Sequence, residues 1–245
     1  MFRSFDKPAL PPHSIHTGMA MFIFVSLFTF GGFGNAAYAD CRASTAPGVD
    51  WQGCRKRNLV MKGSDLSGAN LSGADFTATD LRDTKLRAAD LTKATMVRSY
   101  LDGADAEGAN FDTAMGYRTS FVGVKLNNAT FVKAEMTRAD FTDADLAYVN
   151  FEKADLGRAI FKGASLTGAS FPFANLSRAD FRGSRFSGLI DFTGAYFFLT
   201  RIEGVDLGAA EGLEQWQIDM SCGDDRTQLP SGLKAPANWP CPGDA

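Results

Sequence analysis

Two histidines and four cysteines are all that the chain offers for imidazole or thiol chemistry: His13 and His16 near the start, and Cys41, Cys54, Cys222 and Cys241 in two widely separated pairs. Nucleophilic triads and histidine-ligated metal sites each need an imidazole held by a fold. Both histidines precede residue 40, in a segment that reads as removed from the mature protein, so this chemistry is excluded there. Carboxylate pairs such as Asp102 and Asp105 occur, but no apolar cleft is implied that would raise one of them for acid catalysis. No catalytic residue, metal or cofactor is expected. One charged set is regularly spaced. Arg98, Arg118, Arg138, Arg158 and Arg178 recur at an interval of 20, and Lys93, Lys133 and Lys153 stand five residues before three of them. A row of guanidiniums can hold anions through paired N–H donors.

What positions these residues starts with an address. Arg3 and Lys7 precede an apolar run, Met19 to Phe30, followed by the helix-breaking Gly31-Gly32-Phe33-Gly34 and then Ala37-Tyr38-Ala39. That order is expected of a secretory signal peptide cleaved before Asp40. The run is shorter than the ~20 apolar residues a membrane-spanning helix needs, so no span is expected in the mature chain. Residues 40–245 carry 23 basic and 27 acidic side chains, a net charge of -4 against -3 for all 245 residues. Bulk charge this balanced points to no nucleic-acid partner.

Period five organises most of the remainder. From Leu66 to Phe186, 25 positions in steps of five comprise 11 Leu, 10 Phe and 2 Met, with only Ala106 and Gly116 departing. Two residues before each stands a small residue, 17 of 25 being Ala, and one residue before it 13 of 25 are Asp or Asn. Helices repeat near 3.6 and half-buried strands near 2, so neither explains the pattern. After Phe186 the phase moves by one residue, and Phe192, Phe197, Ile202 and Leu207 continue the large series. The repeat also generates Asn-x-Ser/Thr at Asn70, Asn128 and Asn175, which therefore carries no glycosylation signal.

Blocks such as Ala69-Asn70-Leu71-Ser72-Gly73 and Ala179-Asp180-Phe181-Arg182-Gly183 resemble the pentapeptide-repeat family over roughly 60% of the chain. The resemblance implies an all-β fold, a right-handed quadrilateral β-helix with four pentapeptides per square coil. About seven coils would fit, the large and small residues pointing inward and same-position side chains stacking at ~4.8 Å. The expected organisation is a signal peptide over 1–39, an N-terminal cap over 40–61, the solenoid over 62–209 and a C-terminal cap over 210–245. With flanks at opposite ends of a rod, only Cys41–Cys54 and Cys222–Cys241 can approach within bonding distance. An exported chain is where such bonds persist. Leu213, Trp216 and Met220 are spaced as the apolar face of a short cap helix. Family members often dimerise through C-terminal helices, which leaves monomer and homodimer both open here.

Folded into coils of 20, the five arginines stack on one outer edge and the three lysines on the preceding one. Glu135, Asp140, Asp155 and Asp180 are expected to offset their repulsion if the column is a structural ladder. Otherwise it is an anion-recognising stripe for a polyanion such as a surface polysaccharide, acidic glycan or protein. Loss of two large centres at Ala106 and Gly116 implies either a cavity or a bulge that turns Met115 or Tyr117 inward, and Phe173 is expected to face outward. The function expected is a non-enzymatic, periplasmic or secreted scaffold or binding module of a bacterial envelope, with an unknown protein or envelope polyanion as partner. The alternative follows from the family's quinolone-resistance members, which mimic DNA and bind type II topoisomerases. It requires a cytoplasmic, strongly acidic rod.

Overall fold

The structure, a computed structural model, describes residues 39–241. The leader expected over 1–39 lies outside them except for Ala39. Parallel bridges from Asp50↔Asn70 to Ser165↔Arg185 each join a residue to the one 20 further on. Four such columns, 5 residues apart, make the four faces of a coil. The spacing becomes 21 at Ser170↔Asp191 and Asn175↔Tyr196, where the sequence changes phase. Among the described residues, two short strands stand out from single bridges, β1 (Ile190–Asp191) and β2 (Ala210–Glu211), and they pair in parallel.

Each repeat satisfies its backbone in the same way. Phe131 N–H donates to Asn150 O at 2.7 Å, Asn150 N–H returns to Ala129 O at 3.1 Å, and Lys133 N–H at the corner donates to Glu152 O at 2.8 Å. Ala134 N–H closes the turn on Phe131 O at 3.0 Å. The third turn residue has positive φ, as a type II turn demands. This is why glycines such as Gly103 (φ 68) and Gly123 (φ 63) recur there. The Asp or Asn preceding each centre accepts from the backbone two residues on, as in Thr142 N–H to Asp140 Oδ1 at 2.9 Å, an Asx turn that pins the corner.

Large centres fill the axis. Phe111, Phe131, Phe151 and Phe171 stack down one inner wall at 4.5–5.0 Å between ring centroids. Phe121, Phe141, Phe161 and Phe181 stack down the opposite wall at 4.6–5.2 Å. Rings of the two walls meet edge to face, Phe131 and Phe141 at 6.0 Å and 86°, which suits the aromatic quadrupole. Gly116 and Ala106 are buried on the other two inner walls, between the phenylalanine stacks. At Gly116, Met136 Sδ occupies the space a side chain would take. Met115 and Tyr117 remain 42% and 37% exposed, so the expected cavity or inward turn gives way to a thioether filling the gap.

Both ends differ from a simple cap. The ladder begins at Asp50, well before Lys62, with Trp51, Lys56 and Met61 in centre positions. Lys56 is only 6% exposed. Its Nζ donates to Cys41 O at 2.9 Å and lies 3.5 Å from the Trp51 ring centroid. Burial lowers the Lys56 ammonium from its ordinary value, with Asp40 opposing the shift. The adjoining Cys41–Cys54 disulfide has Cα atoms 5.3 Å apart, the same separation as Cys222–Cys241 at the other end. Helix α1 (Gln215–Met220) covers the last coil, but its buried residues are Gln217 and Ile218, while Trp216 is 41% exposed. Gln217 Nε2 donates to Phe192 O at 3.0 Å, which also accepts from Ala195 N–H, and to Ala195 O at 2.9 Å. A polar plug of this kind closes a ladder without an apolar helix face. Trp239 Nε1 adds a bond to Ser221 O at 2.8 Å beside the second disulfide.

Candidate anion-binding corners

Four corner columns run along the solenoid, each made by the positive-φ turn residues. One carries Gly63, Asp83, Gly103, Gly123, Asp143 and Gly163, and the next carries Gly68, Ala88, Gly108, Asn128, Tyr148 and Gly168. Neither holds a cation among these residues. The third corner carries Lys93, Thr113, Lys133, Lys153 and Phe173, and the fourth Arg98, Arg118, Arg138, Arg158 and Arg178, all at φ between 55° and 60°. Cations at this turn position are therefore confined to two adjacent corners that flank a single face.

The two cationic corners differ in how free their charges are. Lys153 Nζ pairs with Glu152 at 2.7 Å. Among the described residues, none of the five column arginines forms an ion pair. Arg118 lies with its guanidinium carbon 5.3 Å from the Tyr117 ring centroid, and Arg138 Nη1 is 3.5 Å from Tyr117 Oη. The carboxylates expected to neutralise the column are engaged elsewhere or stand apart. Asp140 accepts from Thr142, Asp155 from Thr137, Gly157 and Asn175, and Asp180 from Arg182 and Lys162. Glu135 is exposed and bonds none of the arginines.

Arginines one residue earlier in the turn behave otherwise. Arg82 donates to both Asp80 oxygens, Nε at 2.8 Å and Nη2 at 2.5 Å. Arg182 does the same to Asp180 at 2.9 and 2.7 Å. Arg57 pairs with Asp75 at 3.2 Å, and Arg87 with Asp105 at 2.8 Å and Glu107 at 2.6 Å. Hydrogen bonds from Arg82 outweigh the opposing burial and hold the Asp80 carboxyl down at about 2. Burial would raise Asp180, yet Arg182 keeps it below the ordinary carboxylate value. From the first turn position a side chain lies back along the face toward the ladder carboxylates. From the corner it projects beyond their reach.

Several outward residues are missed by period-five reasoning, which follows only the inward pair. On the face between the cationic corners the ladder presents Thr95, Met115, Glu135, Asp155, Asn175 and Tyr196. Tyr196 and Phe198 are 46% and 41% exposed, and Phe173 at the lysine corner, which the sequence places outward, is 59% exposed. Alternation within the repeat is the signal that places them outside. No group of histidine, cysteine or carboxylate side chains among the described residues could hold a metal ion.

A family model described as pentapeptide repeats matches residues 38–77, 79–114, 119–158 and 150–188 in 8 copies. Among solved structures the chain is similar to QnrB1, a plasmid-mediated fluoroquinolone resistance protein, at 22% identity over 74% of this chain and 86% of that one, with a TM-score of 0.51. It is also similar to HetL from the cyanobacterium Nostoc sp. strain PCC 7120, a pentapeptide repeat protein involved in heterocyst differentiation regulation. That match has 22% identity over 76% of this chain and 85% of HetL, with a TM-score of 0.43. A pentapeptide repeat protein of the Arabidopsis thaliana thylakoid lumen matches at 28% identity over 48% of this chain and 68% of that one, with a TM-score of 0.23. No curated protein matches the chain.

Proposed function

The chain belongs to the pentapeptide-repeat family, whose members form right-handed quadrilateral β-helices and are generally structural or binding proteins rather than enzymes. From that premise we propose that it is an exported, non-enzymatic binding scaffold of a bacterial envelope. Its partner is a polyanion, met by the column Arg98, Arg118, Arg138, Arg158 and Arg178 with the lysine corner beside it. The observation that carries this reading is the sorting of corner cations onto one side of the coil, with the guanidiniums left outside the scaffold's own ion pairs. Like charges at ~4.8 Å repel by roughly 1 kcal/mol in a water-like dielectric, less in salt. A bound polyanion would remove that cost, and guanidinium forks suit carboxylate, sulfate or phosphate groups.

The disulfides support a location outside the cytoplasm. Both pairs of cysteines are joined as disulfides, which persist in oxidising compartments. Among the described residues no helix is long and apolar enough to cross a membrane. The cationic corners also present the opposite charge to that of a DNA-mimicking rod, which weighs against topoisomerase binding. Intact mass of the protein from fractionated cells tests the export part. A chain beginning at Asp40, outside the cytoplasm and lighter than its four-thiol form by four hydrogens, is expected. A full-length, fully reduced cytoplasmic chain would overturn it. Retention on heparin-agarose tests the column, and the Arg118→Gln/Arg138→Gln/Arg158→Gln variant is expected to lose it.

A further inference from the structure

Between the two cationic corners the outward ladder carries groups that a site for a uniformly charged polymer would omit. Glu135 and Asp155 stand on the midline of the face, flanked in their own coils by Lys133 and Lys153 on one side and Arg138 and Arg158 on the other. Their carboxylates would repel the unbroken charge of polyphosphate or a nucleic-acid backbone. They accept hydrogen bonds readily from hydroxyl groups. Glu135 has no side-chain partner among the described residues, so its oxygens remain available. Asn175 continues the midline one coil further, its Nδ2 donating to Asp155 Oδ1 at 2.9 Å.

Toward the C-terminal end, the same face becomes aromatic. The Phe173 ring packs beside Gly194, where an added Cβ would stand 2.7 Å from two ring carbons, yet the residue is 59% exposed. Lys153 Nζ lies 5.9 Å from its centroid. Across the face, Tyr196 and Phe198 are parallel within 10°, with centroids 6.3 Å apart. Single exposed aromatics are ordinary, but here three exposed rings gather toward the C-terminal end of the two cationic corners.

Resting on the anion-column reading and narrowing it, we infer that the polyanion is an acidic polysaccharide, a polymer of hexuronate type lying along the solenoid axis. Its carboxylates meet the arginine corner, its hydroxyls donate to Glu135, and its pyranose rings stack on Phe173, Tyr196 and Phe198.

The test measures binding of the disulfide-bonded chain to three probes by calorimetry: an oligogalacturonate, a polyphosphate of equal charge and a neutral maltodextrin. The oligogalacturonate is expected to bind roughly ten-fold tighter than the polyphosphate, with no detectable maltodextrin binding. Phe173→Ala/Tyr196→Ala, at two exposed positions, should weaken the oligogalacturonate several-fold and leave polyphosphate affinity and the thermal midpoint unchanged. Equal or tighter polyphosphate binding, or indifference of the oligogalacturonate to the aromatic variant, would overturn the glycan inference while the column reading stands. If neither polyanion binds, or the maltodextrin binds as well as the uronate, the column reading itself fails and takes the glycan with it.

Discussion

Arginines occupy two neighbouring positions of the same five-residue turn, and the scaffold treats them differently. At the first position Arg82 and Arg182 each fork onto a carboxylate two residues back, and Arg57 and Arg87 reach carboxylates of the next coil. At the next position, where φ is near 57°, Arg98, Arg118, Arg138, Arg158 and Arg178 lie beyond those carboxylates. For these arginines, turn position therefore separates charges consumed by the fold from charges displayed by it. In a four-cornered solenoid this separates two uses of one side chain without any change of backbone.

The largest expected effect comes from removing what both sets share. The Phe141 ring lies 4.9 Å from Phe121 and 5.2 Å from Phe161, with edge contacts to Phe131 and Phe151. Phe141→Ala should cost about 3–5 kcal/mol in denaturant unfolding and lower retention of polyanions along with it. Overfilling a neighbouring inner wall is milder. Gly116→Leu brings a side chain against Met136 Sδ and should cost about 1–3 kcal/mol. It should also displace Arg118 two residues away and weaken polyanion retention more than the loss of stability alone explains.

One substitution should have opposite signs at the two turn positions. Arg138→Gly relieves a left-handed conformation that L-residues adopt at a cost, and should raise stability by up to about 1 kcal/mol while weakening retention. Arg82→Gly gains no such relief and loses its fork onto Asp80, so it should lower stability and leave retention as it was. Thermal midpoints and salt-elution profiles of the two variants check this together.

The smallest effect is in pH. Because Asp80 titrates at about 2 in the folded chain and near 3.9 when unfolded, its pairing contributes stability above pH ~4 that is lost as pH falls toward 2. The pair is exposed, so Asp80→Asn should shift the thermal midpoint by about a degree or less at neutral pH and flatten part of the acid limb. Retention at neutral pH should not change.

Much of this architecture is legible in sequence because identical positions stack, so inward large and small residues must recur every five. The arginine column is legible for the same reason, as an interval of 20. Its lack of ion pairs is not, since Glu135, Asp140, Asp155 and Asp180 lie near it in sequence while side-chain direction at the turn keeps them apart from it. Lys56 hides the true start of the ladder, because a lysine in a centre position breaks an apolar series and its acceptor, Cys41 O, is 15 residues away. The cap helix misleads by its pattern. Leu213, Trp216 and Met220 have helical spacing, but the coil beneath offers the Phe192 and Ala195 carbonyls, and Gln217 rather than Trp216 is what they bind.

A charge-matched pair of triple variants on heparin-agarose tests the central claim most directly. Arg118→Gln/Arg138→Gln/Arg158→Gln and Arg57→Gln/Arg82→Gln/Arg182→Gln each remove three positive charges from the same solenoid. The first should elute near the salt of the void fraction, and the second close to the unaltered protein. Equal shifts of both would show that retention follows net charge alone and would contradict a dedicated column.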